Sequence, residues 1–241
     1  MGEAAGKTQS AKNTQKIIIA IDGPAGSGKS TLASLLARRY NYINIETGAM
    51  YRALALKAIQ SRVSLDDGAA LAQLAANSRI ELQPRTEGNR VLLDGADVTE
   101  RIREQDVTDA ASKVSVHPPV REWMVSHQRQ MGVGGGVVME GRDIGTKVFP
   151  HAEVKIFLDA APEVRSARRY LQRPEAAAQE KSVLAELRER DRRDRTRAVS
   201  PLVPAPDAVI IDSTNMTLLA VFHKAAEIID SFLQSHSAAS S

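Results

Sequence analysis

The sequence predicts an α/β fold, a doubly wound parallel sheet whose first strand feeds a phosphate-binding loop. Three observations predict it. The run KIIIAID (Lys16 to Asp22) is short, continuous and apolar, as suits a parallel strand buried on both faces. Gly23-Pro24-Ala25-Gly26-Ser27-Gly28-Lys29-Ser30 follows at once and fits G-x-x-x-x-G-K-[ST]. Further on, the apolar runs GGVVMEGRD, VKIFLDA and DAVIID return, most of them tied to helical stretches.

The elements follow in chain order. STLASLLARRY places Leu32, Leu35 and Leu36 on one helical face directly after the glycine loop. ETGAMYRALALKAIQ predicts a second helix with Thr47 at its start. Residues 64 to 131 change character. SRIELQP and NRVLLDG read as two strands joined by a hairpin turn at RTEGN. Two helices follow, around DVTDAASKVSV and PVREWMVSHQRQM, separated by Pro118 and Pro119. This block interrupts the α/β alternation and reads as an insertion. After two of the returning strands, PEVRSARRYLQ predicts a helix, RPEAAAQEKS a polar connection and SVLAELRERDRRDRTR another helix. The last helix, TLLAVFHKAAEIIDSFL, is capped by Thr217, and QSHSAASS frays beyond it. The phosphate loop belongs at the carboxyl edge of the sheet.

Composition narrows the function. A chain of 241 residues, 43% hydrophobic, builds one large α/β domain with insertions or two small domains. No apolar run approaches membrane length. The leading MGEAAGKTQSAKNTQ lacks the apolar middle of a secretory signal, has Gly6 where a myristoylation signal needs Ser or Thr, and reads as a disordered polar tail. With no cysteine, thiolate catalysis and disulfides are excluded, and a cytoplasmic setting fits. The net charge is only +3 and aromatics are 4%, a poor match to the basic stripe and stacking rings of a nucleic-acid binder. A small, highly charged phosphate ligand fits better.

The glycine loop specifies a nucleotide triphosphate. Its glycines let backbone N–H groups turn onto phosphate oxygens, and the helix behind it adds a positive end. Thr31 completes the stretch, Lys29 is expected at the β- and γ-phosphates, and the Ser30 hydroxyl on Mg²⁺. No guanine-reading N-K-x-D is present. Arginine is abundant instead, from Arg165 through Arg168, Arg169, Arg173, Arg188, Arg190, Arg192, Arg193 and Arg195 to Arg197. Two readings are open for this segment. Glu186/Arg190, Glu189/Arg193 and Asp191/Arg195 can form a solvated salt-bridge face. Alternatively Arg190, Arg193, Asp194 and Arg197, stepping by three and four, share one face that grips a phosphate and a ribose. Asp22, just before the loop, either orients Lys29 or Mg²⁺ water or caps local structure; Asp159, at a strand end, has the same standing. His117, His127 and His151 show no metal-ligand spacing, and Trp123 reads as packing.

IAIDGPAGSGKST, TGAMYRALAL, LLDGADVTERIR, EGRDIGTKVFPHAEVKIFLDA and RDRRDRTRAVSPLVPAPDAVIIDST together resemble the bacterial cytidylate kinases, from about Ile17 to the last helix. The resemblance implies transfer of phosphate from ATP·Mg²⁺ to CMP or dCMP by a monomer. It implies a core (16–46, 132–160, 198–235), a monophosphate-binding domain with an insertion (47–131), a lid with an arginine-rich helix (161–197), and tails at 1–15 and 236–241. It places Thr47, Tyr51 and Arg52 at the monophosphate site. Arg142 faces phosphate, and Asp143, Ser112 and Arg121 face cytosine. Arg190, Asp194 and Arg197 grip ribose and phosphate, so that Lys29, Arg142, Arg190 and Arg197 become the catalytic cations. Glu46 and Glu140 stand where the family often has Asp. A P-loop protein that binds nucleotide without catalysis, and a kinase of UMP or AMP, are the rival readings.

Overall fold

In the computed structural model, residues 16–85, 88–171 and 180–239 are described. β1 (Ile18–Asp22) lies at the centre of a five-stranded sheet. The other strands are β2 (Ile43–Glu46), β6 (Val137–Gly141), β7 (Val154–Asp159) and β8 (Val209–Asp212), in the order β2-β6-β1-β7-β8, and every pairing is parallel. Alternation along β1 divides the core. Ile19 and Ile21 pack with Leu32, Leu36, Leu158 and Ile229 on one face; Ala20 packs with Ile45, Met139 and Ile144 on the other. The first face is covered by α1 (Lys29–Tyr40) and α8 (Leu218–Ala239). The second receives Val125 and Met131 of α5 (Pro118–Gly132). Helices on both faces of a parallel sheet are the doubly wound arrangement predicted from the apolar runs.

Four strands follow β1, not three. NYINIE gave no strand signal because β2 is an edge strand with Ile43 largely exposed, so it lacks a continuous apolar run. Between α2 (Thr47–Gln60) and the strands lies an unpredicted helix, α3 (Gly68–Ala76), capped by Asp67, whose side chain accepts from the Ala70 N–H at 2.9 Å. The antiparallel unit has three strands, β3 (Ile80–Pro84), β4 (Asn89–Leu93) and the two-residue β5 (Ala96–Asp97). At the turn between β3 and β4, Arg85 N–H donates to the Gly88 carbonyl at 2.9 Å, while residues 86–87 lie outside the described residues. α4 (Gln105–Val114) and α5 then complete a second core around Leu54, Leu71, Val107, Val114 and Met124, with Trp123 packed against it. Pro118 and Pro119 do not separate the helices; they form the first turn of α5, where a missing N–H is harmless.

The arginine-rich segment forms α6 (Pro162–Leu171) and α7 (Glu180–Thr196). Of the connection expected at RPEAAAQEKS, residues 173–179 lie outside the described residues, as does the leading tail, while Glu180, Lys181 and Ser182 already belong to the first turn of α7. Thr217 does cap α8, accepting from the Ala220 N–H at 3.2 Å, and α8 runs to Ala239, through the stretch expected to fray. Among the described residues no helix is long and apolar enough to cross a membrane.

Candidate active site

The glycine loop leaves the carboxyl end of β1 and closes on the first turn of α1. Gly23 has φ +149°, and a Cβ there would lie 2.0 Å from the Leu158 carbonyl oxygen of β7, so only glycine fits. Arginines from α6 clamp the loop from outside. Arg165, almost fully buried, donates to the Ala25 carbonyl at 3.0 Å, to Ala160 at 2.8 Å and to Asp191 of α7 at 2.6 Å. Arg168 donates to the Ser27 carbonyl at 3.3 Å and to the Ser213 hydroxyl at 3.0 Å. Lys29 folds onto its own loop, donating from Nζ to the Pro24 carbonyl at 2.6 Å. Burial, reinforced by the nearby Arg142 cation, pulls its ammonium down to about 7.

Three carboxylates stand at or one residue before the carboxyl ends of β1, β2 and β6, and they differ in use. Both oxygens of Asp22 are spent on backbone, accepting from Ile144 N–H at 2.8 Å and Gly145 N–H at 2.7 Å, so Asp22 caps local structure; burial lifts it to about 6. The parallel register of β2 and β6 sets Glu46 beside Glu140. Glu46 accepts from Arg52 at 2.5 Å. Glu140 is buried, has the Ser30 hydroxyl near enough to favour its charged form, and keeps Oε1 without a partner among the described residues. Burial first, and the Glu46 charge second, push it up to about 7.

At the far end of the cleft, Arg121 donates from Nη2 to Asp143 Oδ2 at 2.5 Å and from Nη1 to the Ser115 carbonyl at 3.2 Å, and it lies 5.5 Å over the Tyr51 ring. Burial raises the Tyr51 phenol to about 12. Arg142 donates to Asp194 Oδ2 at 2.9 Å, and Arg197 reaches Asp194 Oδ1 at 3.4 Å and the Ser200 carbonyl at 2.6 Å. Although buried, Asp194 is held below the usual carboxylate range by Arg142 and Arg197. Nη2 of Arg197 and Nε of Arg52 are buried donors without an acceptor among the described residues. Arg190 donates to the Thr108 carbonyl at 3.4 Å, and burial draws its guanidinium down to about 10.

One cleft of about 1190 Å³ joins these groups. Its lining includes the loop from Ala25 and Gly26 through Ser27, Gly28, Lys29 and Ser30 to Thr31. It also includes Thr47, Tyr51, Arg52, Ser112, Arg121, Arg142, Asp143, Arg190, Asp194 and Arg197. Gly23 and Pro24 do not line it; they are buried behind the loop, where Pro24 receives Lys29. Thr47 lines it but spends its hydroxyl on the Glu140 carbonyl at 2.7 Å. Arg193 does not line it either: its guanidinium donates to Glu189 at 3.0 Å and to Ser112 Oγ at 3.3 Å. Of the surface pairs weighed for this helix, Glu189/Arg193 forms. Asp191 turns to Arg165, and Arg195 stands 3.7 Å from Asp159. The helix therefore carries one of the weighed ion pairs, Glu189/Arg193, and turns Arg190, Asp194 and Arg197 to the cleft. Arg168, Arg169, Arg103 and Glu140 are cleft residues that sequence reasoning did not place there; Arg165, Arg168 and Arg169 carry helical spacing that pointed to a common face.

A glycine loop at the carboxyl edge of a parallel sheet, facing buried arginines across one continuous cleft, defines a P-loop phosphotransferase. The family model described as cytidylate kinase matches residues 19–231. The cytidylate kinase of Pelotomaculum thermopropionicum is 55% identical, covering 82% of this chain and 89% of that protein. Those of Enterococcus faecalis and Pasteurella multocida are 51% and 44% identical, covering 84% and 92% of this chain and 91% and 97% of theirs. The chain belongs to the cytidylate kinase family.

Proposed function

We propose that this cleft transfers the γ-phosphoryl group of ATP to the 5′-phosphate of CMP, and of dCMP, giving ADP and CDP or dCDP. One observation carries the reading. The phosphate loop and the cluster of Arg52, Arg142, Arg190 and Arg197 lie in the same cleft, and two of those guanidiniums hold buried donors that lack an acceptor among the described residues. Two anionic phosphates brought together there meet the charge that offsets their repulsion.

An oxygen of the CMP phosphate attacks the γ-phosphorus in line, and the bond to the bridging oxygen of ADP breaks. The nucleophile is already anionic, so no general base is required; alignment and charge neutralisation do the work. Lys29 leaves the Pro24 carbonyl for the β- and γ-oxygens. Arg142, Arg190 and Arg197 neutralise the transferred group, and Asp194 with Arg190 receives the ribose. Asp143 accepts from the cytosine N4 amine, while Arg121 and Ser112 donate to ring acceptors. Uracil would present an oxygen to Asp143, an acceptor facing an acceptor. Ser30 and Glu140 suit Mg²⁺, a hard cation that takes oxygen ligands, and the unpartnered Oε1 of Glu140 is a donor in waiting. Bound there, the ion would supply positive charge to offset the negative charge of the nucleotide phosphates. The phosphate loop and the arginine cluster that line the cleft come from one chain, which fits a monomer.

The test is ADP formation from ATP·Mg²⁺ with CMP, dCMP, UMP, AMP, GMP or no acceptor. Turnover led by CMP and dCMP supports the reading. Turnover indifferent to acceptor, or ATP binding without turnover, would leave only the loop assigned.

A further inference from the structure

Helix α7 and helix α4 meet along a seam that includes three hydrogen bonds among the described residues. Gln105 donates to Glu186 Oε2 at 3.2 Å, Arg190 to the Thr108 carbonyl at 3.4 Å, and Arg193 Nη1 to Ser112 Oγ at 3.3 Å. Positions 105, 108 and 112 step by three and four along α4, and 186, 190 and 193 by four and three along α7, so each row is a single helical face. Only the Arg193 contact ends on a side chain assigned above to the base. Ser112 lines the cleft and Arg193 does not, so Arg193 approaches the hydroxyl from behind. Glu189 fixes it there, accepting from its Nε at 3.0 Å.

A serine hydroxyl is a rotor that donates or accepts as its surroundings require. Left to itself it serves the N3 acceptor of cytosine or the N3–H donor of uracil equally well. A guanidinium bonded to its oxygen occupies one lone pair and disfavours a second donor on the same atom. The hydrogen then remains for the cleft. We propose that Arg193 is a positioning residue for acceptor specificity: by donating to Ser112 Oγ it sets that hydroxyl as a donor and disfavours uracil. The proposal rests on the reading of Ser112 as a base contact. It also ties specificity to the lid, because Arg193 sits on α7 and Ser112 on α4; the hydroxyl is set only when the two helices are together.

The test compares kcat/KM for CMP and UMP in the wild type, Arg193→Met, Arg193→Lys, Ser112→Ala and the Arg193→Met/Ser112→Ala double variant, with a thermal melt of each. Arg193→Met should lower the CMP-over-UMP ratio about fivefold, the weight of one ordinary hydrogen bond. Arg193→Lys, which keeps a donor, should retain most of the ratio. In the Ser112→Ala background, Arg193→Met should lower the ratio no further, since the hydroxyl it sets is gone. A ratio unmoved by Ser112→Ala would overturn the base contact, and the proposal with it. A ratio lowered by Ser112→Ala but not by Arg193→Met would overturn the role of Arg193 alone. An equal loss for both acceptors with a lower Tm would make Arg193 a prop for the lid and also overturn it.

Discussion

Arg121 and Asp143 are joined at 2.5 Å in the floor of the cleft, with side chains only 2% and 7% exposed. Each charge is what makes burial of the other tolerable. Asp143→Ala leaves the Arg121 guanidinium buried against Tyr51 and the Ser115 carbonyl without its counter-ion. Loss of one partner of a buried pair destabilises by about 3 kcal/mol. Urea unfolding should show that loss, and Arg121→Met/Asp143→Leu should be more stable than Asp143→Ala. A double variant no more stable than the single one would place the loss in other contacts. The same Asp143→Ala enzyme should prefer CMP over UMP less than the wild type, read as the ratio of kcat/KM values.

Arg197 presents its unpartnered Nη2 beside a pair of anchors, Ser200 and Asp194. A donor held ready in this way acts on the transition state more than on substrate binding. Arg197→Ala and Arg190→Ala should each lower kcat about a hundredfold, on the scale of losing one preorganised donor. Steady-state kinetics with saturating ATP·Mg²⁺ and CMP decide this. Rates within twofold of wild type would remove these arginines from the mechanism.

How much of this was legible follows from the range of the signal. Ile19, Ile21 and the glycine loop announce themselves within a few residues, because a buried parallel strand and a phosphate loop each have a dense local pattern. β2 and α3 were missed for the opposite reason. Ile43 is exposed at a sheet edge, and GAALAQLAA is so rich in alanine that its apolar face is faint. The arginine helix showed its spacing but not its partners. Whether Asp191 pairs with Arg195 on its own helix or with Arg165 on α6 depends on where α6 lies, which no local window contains. Arg193 shared a face with Arg190 and Arg197 by count, yet the approach of α4 takes it out of the cleft. Glu140 was visible as an acid near a strand end; its unpartnered oxygen, among the described residues, was not, since that depends on what packs around β6 in three dimensions.

Gly23 is the position where the loop tolerates least. A methyl group there would stand 2.0 Å from the Leu158 carbonyl oxygen, and β7 cannot yield because it is paired with β1 and β8 on its two sides. The positive φ of +149° adds backbone strain for any other residue. Gly23→Ala should therefore displace the loop and lose ATP affinity by at least tenfold, with CMP binding less affected. Binding of ATP and of CMP followed separately by calorimetry tests this; equal affinity losses for the two would mean that the sheet itself had moved.

Glu140 gives the folded protein a pH dependence of predictable sign. Its carboxyl rises from the ordinary 4.5 to about 7, so between those values the folded state holds a proton that the unfolded state has lost. Stability therefore falls as pH rises through that window. Asp22, lifted from 3.8 to about 6, contributes a fall that ends earlier. Lys29 acts in the next window. Lowered from 10.5 to about 7, it leaves the unfolded state with the extra proton above pH 7, so its contribution climbs as pH rises. Glu140→Gln removes the first effect and not the second. The variant should gain stability relative to wild type from pH 4.5 to 7, including the stretch above pH 6 that Asp22 no longer influences. Removing the Glu140 charge also withdraws support for the Lys29 cation, which widens the gap in the same direction. Urea midpoints at pH 5, 6, 7 and 8 in the absence of nucleotide and Mg²⁺ measure it. Curves that run parallel across this range would show that Glu140 holds no extra proton in the folded state. Its unpartnered oxygen would then already be charged before any cation arrives.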